Sequence, residues 1–274
     1  MRLRPCKARQ WAALSGTEDG SAALADPPGT MLDMADVRPG MTVLDLACGA
    51  GSQRFQAVER VGSKGSVVAS DISATMLSHV REEATRLGVQ NVETLECAAE
   101  DLAATSDGFD AAICRLGLML FPDPARASAA VARALKRRVR FAPLVFTTPS
   151  RNPFMSKPMQ ILLRHAAREP PPPGRPGIFA LGAPKLLEKK LVESGYSNVE
   201  AKVLPVGLRL DSANEALDMM KGAFGAYRAV VAELPDEMRK AAWSEVGDYL
   251  KQFENDAGWE TEIEVIVASG TASK

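Results

Sequence analysis

A glycine-rich segment, Val43 to Gln53 (VLDLACGAGSQ), is the first part of the chain whose residue types and spacing could bind a ligand. An apolar run, which contains Asp45, ends at the pair Gly49 and Gly51. Glycine lets the backbone approach a ligand closely because it has no Cβ atom. A dinucleotide-binding turn would carry a third glycine where this chain has Arg54. The segment therefore disfavours a nicotinamide dinucleotide and favours a ligand without a pyrophosphate.

A carboxylate follows the next apolar run, because Ser66 to Ser70 (SVVAS) ends at Asp71. At the end of a second strand, a carboxylate can accept hydrogen bonds from both hydroxyls of a ribose. The alternative is structural, since Asp71-Ile72-Ser73 precedes a predicted helix and Asp71 could cap it. Taken with the glycine-rich segment, the pattern favours ribose binding.

Strands and helices must hold these residues in place, and the hydrophobic pattern predicts that the two alternate from Thr42 onward. Strands are predicted at 43–47, 66–70, 92–97, 109–114, 140–147, 199–204 and 260–268. Helices are predicted at 52–61, between Ser73 and Gly88, from Pro124 to Leu135, and near 159–167, 184–195, 212–231 and 235–254. This alternation implies a parallel sheet with right-handed crossovers, and hence a doubly wound α/β fold.

Four ordered segments, VLDLACGAGSQ, VVASDISATML, ECAAEDL and FDAAICRLGLMLFPDP, resemble the class I S-adenosylmethionine-dependent methyltransferases. Within that class they are most similar to the broad group that includes the ubiquinone and menaquinone C-methyltransferases. The resemblance is good over residues 31–150 and less specific through FTTPSRNPF and GIFALGAPKLLEKKLVESGY. It implies a mostly parallel seven-stranded sheet, helical insertions that form an acceptor lid, and S-adenosylmethionine as the cofactor.

The same resemblance sets the expected domain organisation. Residues 1–30 are predicted to be a loosely ordered leader, and residues 31–274 a single methyltransferase domain. Within that domain, residues 31–150 form the cofactor-binding half. The segments 151–182 and 205–256 form the lid, while 183–204 and 257–270 supply the remaining sheet elements.

The resemblance also implies which residues hold the methionine and ribose parts of the cofactor. The backbone around Ala47, Gly49 and Gly51 would lie against the methionine part. Asp45 would orient the amino group, directly or through water. Asp71 would hold the ribose.

On the adenine side, the resemblance implies that Ile72 and Met76 pack on the ring, although Met76 also fits the inner face of its own helix. The family often has Asp or Asn where this chain has Ala98, and that side chain contacts the adenine amino group. Ala98 cannot make this contact, which leaves the backbone of Ala99 and Glu100.

Two further departures from the family concern the end of the third predicted helix and the fifth strand. A Pro-Gly-Gly-like turn is common before that strand, whereas this chain has the basic cluster Lys136 to Arg138, which is predicted to be a solvated helix end. Pro143 lies inside the predicted strand and removes a hydrogen-bond donor. Local distortion beside the sheet is therefore expected.

Methyl transfer from a sulfonium is an in-line displacement, in which alignment of donor and acceptor can supply most of the rate. A general base is needed only when the acceptor arrives protonated. His165 and Tyr227 are the candidate bases, with an ordinary structural histidine and a helix-packing tyrosine as the alternatives. Arg115, after the fourth strand, is expected either at the carboxylate of the cofactor or in a surface ion pair.

Apolar side chains are abundant after the fifth strand, and they favour a small apolar or aromatic acceptor while leaving its identity and the methylated atom open. These residues are Phe154, Met155, Met159, Phe179, Met219, Met220 and Phe224. Most of them are expected to serve packing. Two alternatives to a methyltransferase are a non-catalytic protein that binds S-adenosylmethionine as a partner or sensor, and a nucleotide-dependent oxidoreductase.

Composition excludes several other classes. The chain of 274 residues is 46% hydrophobic and 24% charged with a net charge of −1, so no basic excess indicates a nucleic-acid partner. No apolar run reaches the ~18 residues of a membrane helix, and no signal peptide is evident, which predicts a cytoplasmic protein. Cys6, Cys48, Cys97 and Cys114 lack metal-site spacing, so we expect reduced structural thiols and no metal.

Overall fold

The computed structural model describes residues 27–49, 53–104, 108–170, 175–223 and 225–273. The chain divides into two compact units. The sheet unit takes its described residues from the ranges 27–147, 176–204 and 265–273, and the helical unit takes its own from 148–175 and 205–264. The sequence predicts one domain, whereas the structure has two units, and the second contains most of the two predicted lid segments.

Eight strands are present in the described part of the chain. They are β1 Thr42–Leu46, β2 Ser66–Asp71, β3 Val92–Glu96, β4 Phe109–Arg115, β5 Leu135–Phe146, β6 Tyr196–Leu210, β7 Glu254–Asn255 and β8 Gly258–Ala272. The α-helices are α1 Pro27–Met34, α2 Gln53–Val61, α3 Ala74–Leu87, α4 Pro124–Ala134, α5 Pro153–His165, α6 Leu186–Glu193, α7 Ala213–Ala223, α8 Gly225–Val231 and α9 Asp236–Leu250.

The strands form one sheet in the order β3-β2-β1-β4-β5-β8-β6, with the two-residue β7 paired to β8 outside this order. The first five strands pair in parallel, and β8 is antiparallel to β5. This arrangement confirms the predicted doubly wound, mostly parallel sheet of seven strands. Because β1 and β4 lie in the middle of the sheet, they are buried along nearly their whole length and consist mostly of apolar residues.

Local capping signals set the ends of the helices that follow β2 and β4. The side chain of Ser73 accepts a hydrogen bond from the N–H of Met76, and Gly88 ends α3 in the left-handed conformation. Asp123 caps α4 in the same way, with Pro124 at its first position. These features fix where α3 and α4 begin relative to the strands that precede them.

The prediction of a solvated helix end at Lys136 to Arg138 is wrong. The helix ends at Ala134 and β5 begins at the next residue, so the basic cluster lies in the strand with its side chains exposed. Arg138 has φ 59°, and the pairing of β4 with β5 shifts register opposite this stretch. The expected distortion therefore occurs before Pro143, which itself pairs in register with Cys114.

Other boundaries also differ from the predictions. The final residues of the predicted leader begin α1 at Pro27, while residues 1–26 lie outside the described part of the chain. The helix predicted over 212–231 is described on either side of Phe224 as α7 and α8, and Phe224 itself lies outside the described residues. Strands β6 and β8 are longer than predicted, and α5 begins at Pro153 rather than near 159.

Aromatic side chains and one buried amide hold the helical unit together. Trp259 on β8 is buried, packs edge-on against Phe154 with ring centroids 5.1 Å apart, and donates its indole N–H to the carbonyl of Leu250. Asn152, which is fully buried, donates to the carbonyl of Glu264 and accepts the N–H of the same residue. The start of α5 is thereby fixed to β8.

The three cysteines in the described residues are free thiols. Cys48 and Cys114 are buried, and burial together with the nearby Asp45 carboxylate raises the pKa of Cys114 to about 12. Cys6 lies outside the described residues. Among the helices that the structure describes, none is both long and apolar enough to cross a membrane.

Candidate functional site

The site lies in the sheet unit, at the carboxyl ends of β1, β2, β3 and β4. Strand β1 pairs with β2 on one side and with β4 on the other, so the chain order reverses at β1. In open α/β sheets, ligands bind beside such a reversal, outside the carboxyl ends of the strands. Asp45, which is fully buried in β1, pairs in register with Ala69 and Ile113 on the two neighbours.

The loop after β1 has an unusual backbone. Ala47 and Gly49 both have positive φ, 51° and 52°, and the N–H of Cys48 donates to the carbonyl of Ser70 at 2.9 Å. Among the described residues, no atom lies within 4 Å of the position that a Cβ would take on Gly49, so it is the positive φ that favours glycine there. Gly51, the other predicted glycine, lies outside the described residues.

The carboxylate of Asp71 connects this loop to the start of α3. One oxygen accepts the N–H of Gly49 and the other accepts the N–H of Ser73, each at 2.9 Å. Asp71 therefore does more than cap the following helix, since Ser73 fills the capping position of α3. A carboxylate with both oxygens fixed by backbone N–H groups is held in one orientation and still has lone pairs for further donors.

The two residues predicted to contact an adenine follow Asp71. The Ile72 side chain is 74% exposed, which is unusual for a large aliphatic residue, and Met76 is half-buried on the first turn of α3. At the end of β3, Cys97 donates its N–H to the carbonyl of Asp71. Burial and the carboxylates of Asp101 and Asp71 raise the pKa of the Cys97 thiol, so it stays protonated near neutral pH.

The turn after β3 places the remaining adenine-side residues. Ala99 is buried, and Glu100 is half-buried with its carboxylate accepting the N–H of Asp123 at 3.3 Å. This contact fixes the turn to the start of α4. The side chain of Ala98 is a methyl group, which cannot accept a hydrogen bond from an adenine amino group.

The end of β4 brings a cation to the same edge of the sheet. Arg115 is buried at 8% exposure, which argues against the alternative of a solvent-exposed surface ion pair. Leu116 follows with φ 58°, and its N–H donates to the carbonyl of Leu144. These contacts hold the backbone of the turn after β4 against β5.

Gly117 is a site residue that the sequence analysis missed. A Cβ on Gly117 would lie 2.7 Å from the Cβ of Ala47 and 3.1 Å from the sulfur of Cys114. Only glycine fits here, because any side chain would push the loop after β1 away. The sequence does show a glycine two residues after Arg115. That glycine indicates a close approach to Ala47 only once β1 and β4 are known to be neighbours.

The two candidate bases lie in the helical unit, and each has a partner there. The Nε2 atom of His165 is 2.8 Å from a carboxylate oxygen of Glu245. Tyr227 is fully buried and donates its hydroxyl to the carbonyl of Met155 at 2.6 Å. Burial raises the pKa of Tyr227 well above its ordinary value, so the phenol remains protonated. These contacts favour the structural alternatives for both residues.

The described apolar residues after the fifth strand divide into a fully buried group and a half-buried group. Phe154, Met155, Met219 and Met220 are buried, so they serve packing as expected. Met159 and Phe179 are half-buried, and Phe224 lies outside the described residues.

Comparison with known proteins agrees with this geometry. Residues 38–157 match the family model described as a methyltransferase domain. The nocamycin O-methyltransferase of Saccharothrix syringae is 37% identical over 106 residues, which cover 39% of this chain and 38% of that protein. The ubiquinone/menaquinone biosynthesis C-methyltransferase UbiE of Francisella philomiragia is 40% identical over 114 residues, which cover 41% and 46% respectively. The chain thus spans less than half the length of these two curated relatives.

A solved structure extends the comparison to nearly the whole chain. A putative methyltransferase from Bacillus halodurans is 17% identical and has a TM-score of 0.59, over 91% of this chain and 100% of that one. With the observed strand order, this similarity shows that the chain has the class I methyltransferase fold.

Proposed function

We propose that the protein is a methyltransferase that uses S-adenosylmethionine and acts on a small molecule. The observation that carries the proposal is the Asp71 carboxylate, which is fixed by the N–H groups of Gly49 and Ser73 at the reversal of strand order. The matched range 38–157 contains every proposed cofactor residue from Asp45 to Arg115, and this supports the assignment.

The chemistry of the site suits each part of this cofactor. The oxygens of Asp71 accept hydrogen bonds from the ribose hydroxyls, and the exposed side chain of Ile72 gives an apolar surface for the adenine. The backbone at Gly49, where no described atom lies within 4 Å of a Cβ position, would lie against the methionine part, and Arg115 would supply a cation for its carboxylate. When bound, S-adenosylmethionine supplies a methyl group on a positively charged sulfur.

The remaining site residues orient the donor. Asp45 provides a buried negative charge for the amino group, and Met76 adds to the adenine surface. The backbone of Ala47, kept close to β4 by Gly117, lies against the methionine part. The turn at Ala99 and Glu100 bounds the adenine. Positioning of this kind can supply most of the rate of a displacement that needs no base.

We further propose that the acceptor is apolar or aromatic and that the segments after β5 bind it. The half-buried Met159 in the helical unit supports this, since it presents apolar atoms without being fully buried. The two curated relatives are named for nocamycin and for ubiquinone and menaquinone, which also supports a small organic acceptor.

The test is ligand binding followed by methyl transfer. S-adenosylhomocysteine should raise the midpoint of thermal unfolding, because it binds the folded protein. At a concentration 100 times its Kd, it should raise the free energy of unfolding by about 2.7 kcal/mol. Tritiated methyl transfer from S-adenosylmethionine is then measured on a panel of quinols, phenols and aromatic carboxylates. Binding without transfer to any of them would favour the non-catalytic alternative. Stabilisation by NAD alone would overturn the proposal.

A further inference from the structure

A pocket of about 390 Å³ lies in the helical unit, between α7 and α9. Its volume is within the range of about 300–1,000 Å³ that is typical of small-molecule sites. Six residues line the pocket: Leu217, Lys221, Arg239, Lys240, Trp243 and Ser244. Three of them are cations, one is an indole, and none is acidic.

The packing of the two helices explains why a pocket forms there. Gly247 on α9 lets Leu217 of α7 come close, since a Cβ on Gly247 would lie 3.2 Å from a methyl carbon of Leu217. One turn further along α7 is Lys221, and one turn back along α9 is Trp243. Lys221 and Trp243 both line the pocket together with Leu217, so the pocket lies beside this close contact.

The cations of the pocket differ in how they are held. The guanidinium of Arg239 donates to the carbonyl of Leu234 and pairs with Asp236, so it is fixed in place. Lys240 pairs with Glu237 at 2.9 Å. The ammonium of Lys221 instead lies 5.6 Å from the centroid of the Trp243 ring, and in the described part of the chain it forms no salt bridge.

We propose that this pocket binds a small anion that carries a flat apolar ring, of the aromatic carboxylate class. Its anionic group would pair with Lys221 and Arg239, because a carboxylate accepts strong hydrogen bonds from both kinds of cation. Its ring would lie against Leu217 and Trp243, which are the apolar part of the pocket wall. The proposal does not rest on methyl transfer, since no proposed cofactor residue lines the pocket.

The probe for this site is 1-naphthoate, with binding measured by calorimetry and by quenching of tryptophan fluorescence. Saturable binding is expected, and it should be stronger than binding of the uncharged 1-naphthylmethanol. Lys221→Gln should weaken binding by at least about threefold, as expected for a partly exposed charge pair. Trp243→Phe should keep most of the affinity but abolish the quenching, because it retains an aromatic wall and removes the indole.

Lys189→Gln is the matched control, because Lys189 is an exposed lysine that pairs with Glu193 on α6, outside the pocket. It should leave the Kd of 1-naphthoate unchanged. The proposal is overturned if 1-naphthoate shows no saturable binding, or if 1-naphthylmethanol binds as tightly. It is also overturned if Lys221→Gln and Lys189→Gln have the same effect in proteins with equal unfolding midpoints.

Discussion

At the scale of single residues, Asp71 joins the end of β2 to the loop after β1 and to the first turn of α3. Its two hydrogen bonds from backbone N–H groups show that the carboxylate orders the protein itself, apart from the role toward a ribose that we propose for it. Removal of the carboxylate therefore has two consequences. It deletes the acceptors proposed for the ribose, and it releases the N–H of Gly49 from its partner.

Asp71→Ala should weaken S-adenosylhomocysteine binding by at least about tenfold, because a hydrogen bond to a charged group contributes about 1.5–3 kcal/mol. The protein should still fold, since Ser73 continues to cap α3. Calorimetric titration gives the Kd, and thermal unfolding checks the fold. Asp101→Ala is the control, because Asp101 is an exposed carboxylate that pairs with Arg126. An unchanged Kd for Asp71→Ala would contradict a ribose contact and indicate that the role of Asp71 is purely structural.

Tyr227→Phe separates a catalytic role of Tyr227 from a packing role. The substitution leaves the buried carbonyl of Met155 without this donor, so we expect a loss of about 1–2 kcal/mol in the free energy of unfolding. Methyl transfer by the folded variant should remain near the wild-type rate. The measurements are urea unfolding and kcat. Tyr249→Phe is the comparison, because Tyr249 is only half-buried and its hydroxyl donates a longer hydrogen bond to the carbonyl of Pro153. It should lower the free energy of unfolding by less than Tyr227→Phe does. A large fall in kcat with unchanged stability would instead support Tyr227 as a base.

The positions of the proposed site residues could be predicted because they lie at or near the carboxyl ends of strands. Asp45 in β1, Gly49 in the loop after it and Asp71 at the end of β2 lie at the same edge of the sheet because β1 and β2 pair in parallel. Gly117 could not be predicted, since its need for glycine comes from Ala47, which is distant in sequence and adjacent only across β1 and β4. The second hydrogen bond of Asp71, to Gly49, depends on the positive φ of the loop and was also missed.

At the scale of elements, the alternation of strands and helices was predictable, whereas several boundaries were not. The basic cluster from Lys136 to Arg138 follows a helix and is charged throughout, which is why the sequence predicts a helix end there. It lies in the first part of β5, in which the side chains of Lys136, Arg137 and Arg138 are exposed. The end of β6 also differs from the prediction of 199–204. The strand continues through Pro205 to Leu210, although a proline removes a hydrogen-bond donor from a strand.

An ion-pair cluster connects α5 to α9 and makes a pH-dependent prediction. Hydrogen bonds from His165 and Arg164 lower the pKa of Glu245 below its ordinary value of 4.5. Because the folded pKa is the lower one, this stabilisation is complete above about pH 4.5 and is lost as the pH falls through the folded value. Glu245→Gln should therefore be less stable than wild type at neutral pH, and the difference should shrink in acid.

Urea unfolding at a series of pH values measures this difference. Asp248→Asn is the control on the same helix, since Asp248 pairs only with the exposed Lys251 in the described contacts. Its effect on stability should be smaller than that of Glu245→Gln at neutral pH. A Glu245→Gln difference that stays constant from neutral pH down to about pH 3 would contradict the assigned cause.

At the scale of the whole molecule, the two units divide the recognisable features unequally. All the described residues proposed for the cofactor belong to the sheet unit, and the family match ends at residue 157, shortly after that unit gives way to the helical one. Most of the helical unit therefore lies outside the part that is shared with the matched family. Since related enzymes share a cofactor more often than a substrate, we propose that this unit determines the acceptor.

Met159 offers a test of that proposal, because it is an apolar residue of α5 that is only half-buried. Met159→Lys should lower kcat/KM for an acceptor found in the transfer screen by about tenfold or more, since a charge is poorly tolerated in an apolar site. The Kd of S-adenosylhomocysteine should change by less than about twofold, because no proposed cofactor contact is altered.

Met238→Lys is the matched control, as Met238 on α9 is already 46% exposed and should tolerate the lysine. Met159→Gln serves as a milder variant if the lysine lowers the unfolding midpoint. Equal kcat/KM values for the Met159 and Met238 variants, with both folded, would show that the acceptor binds away from α5.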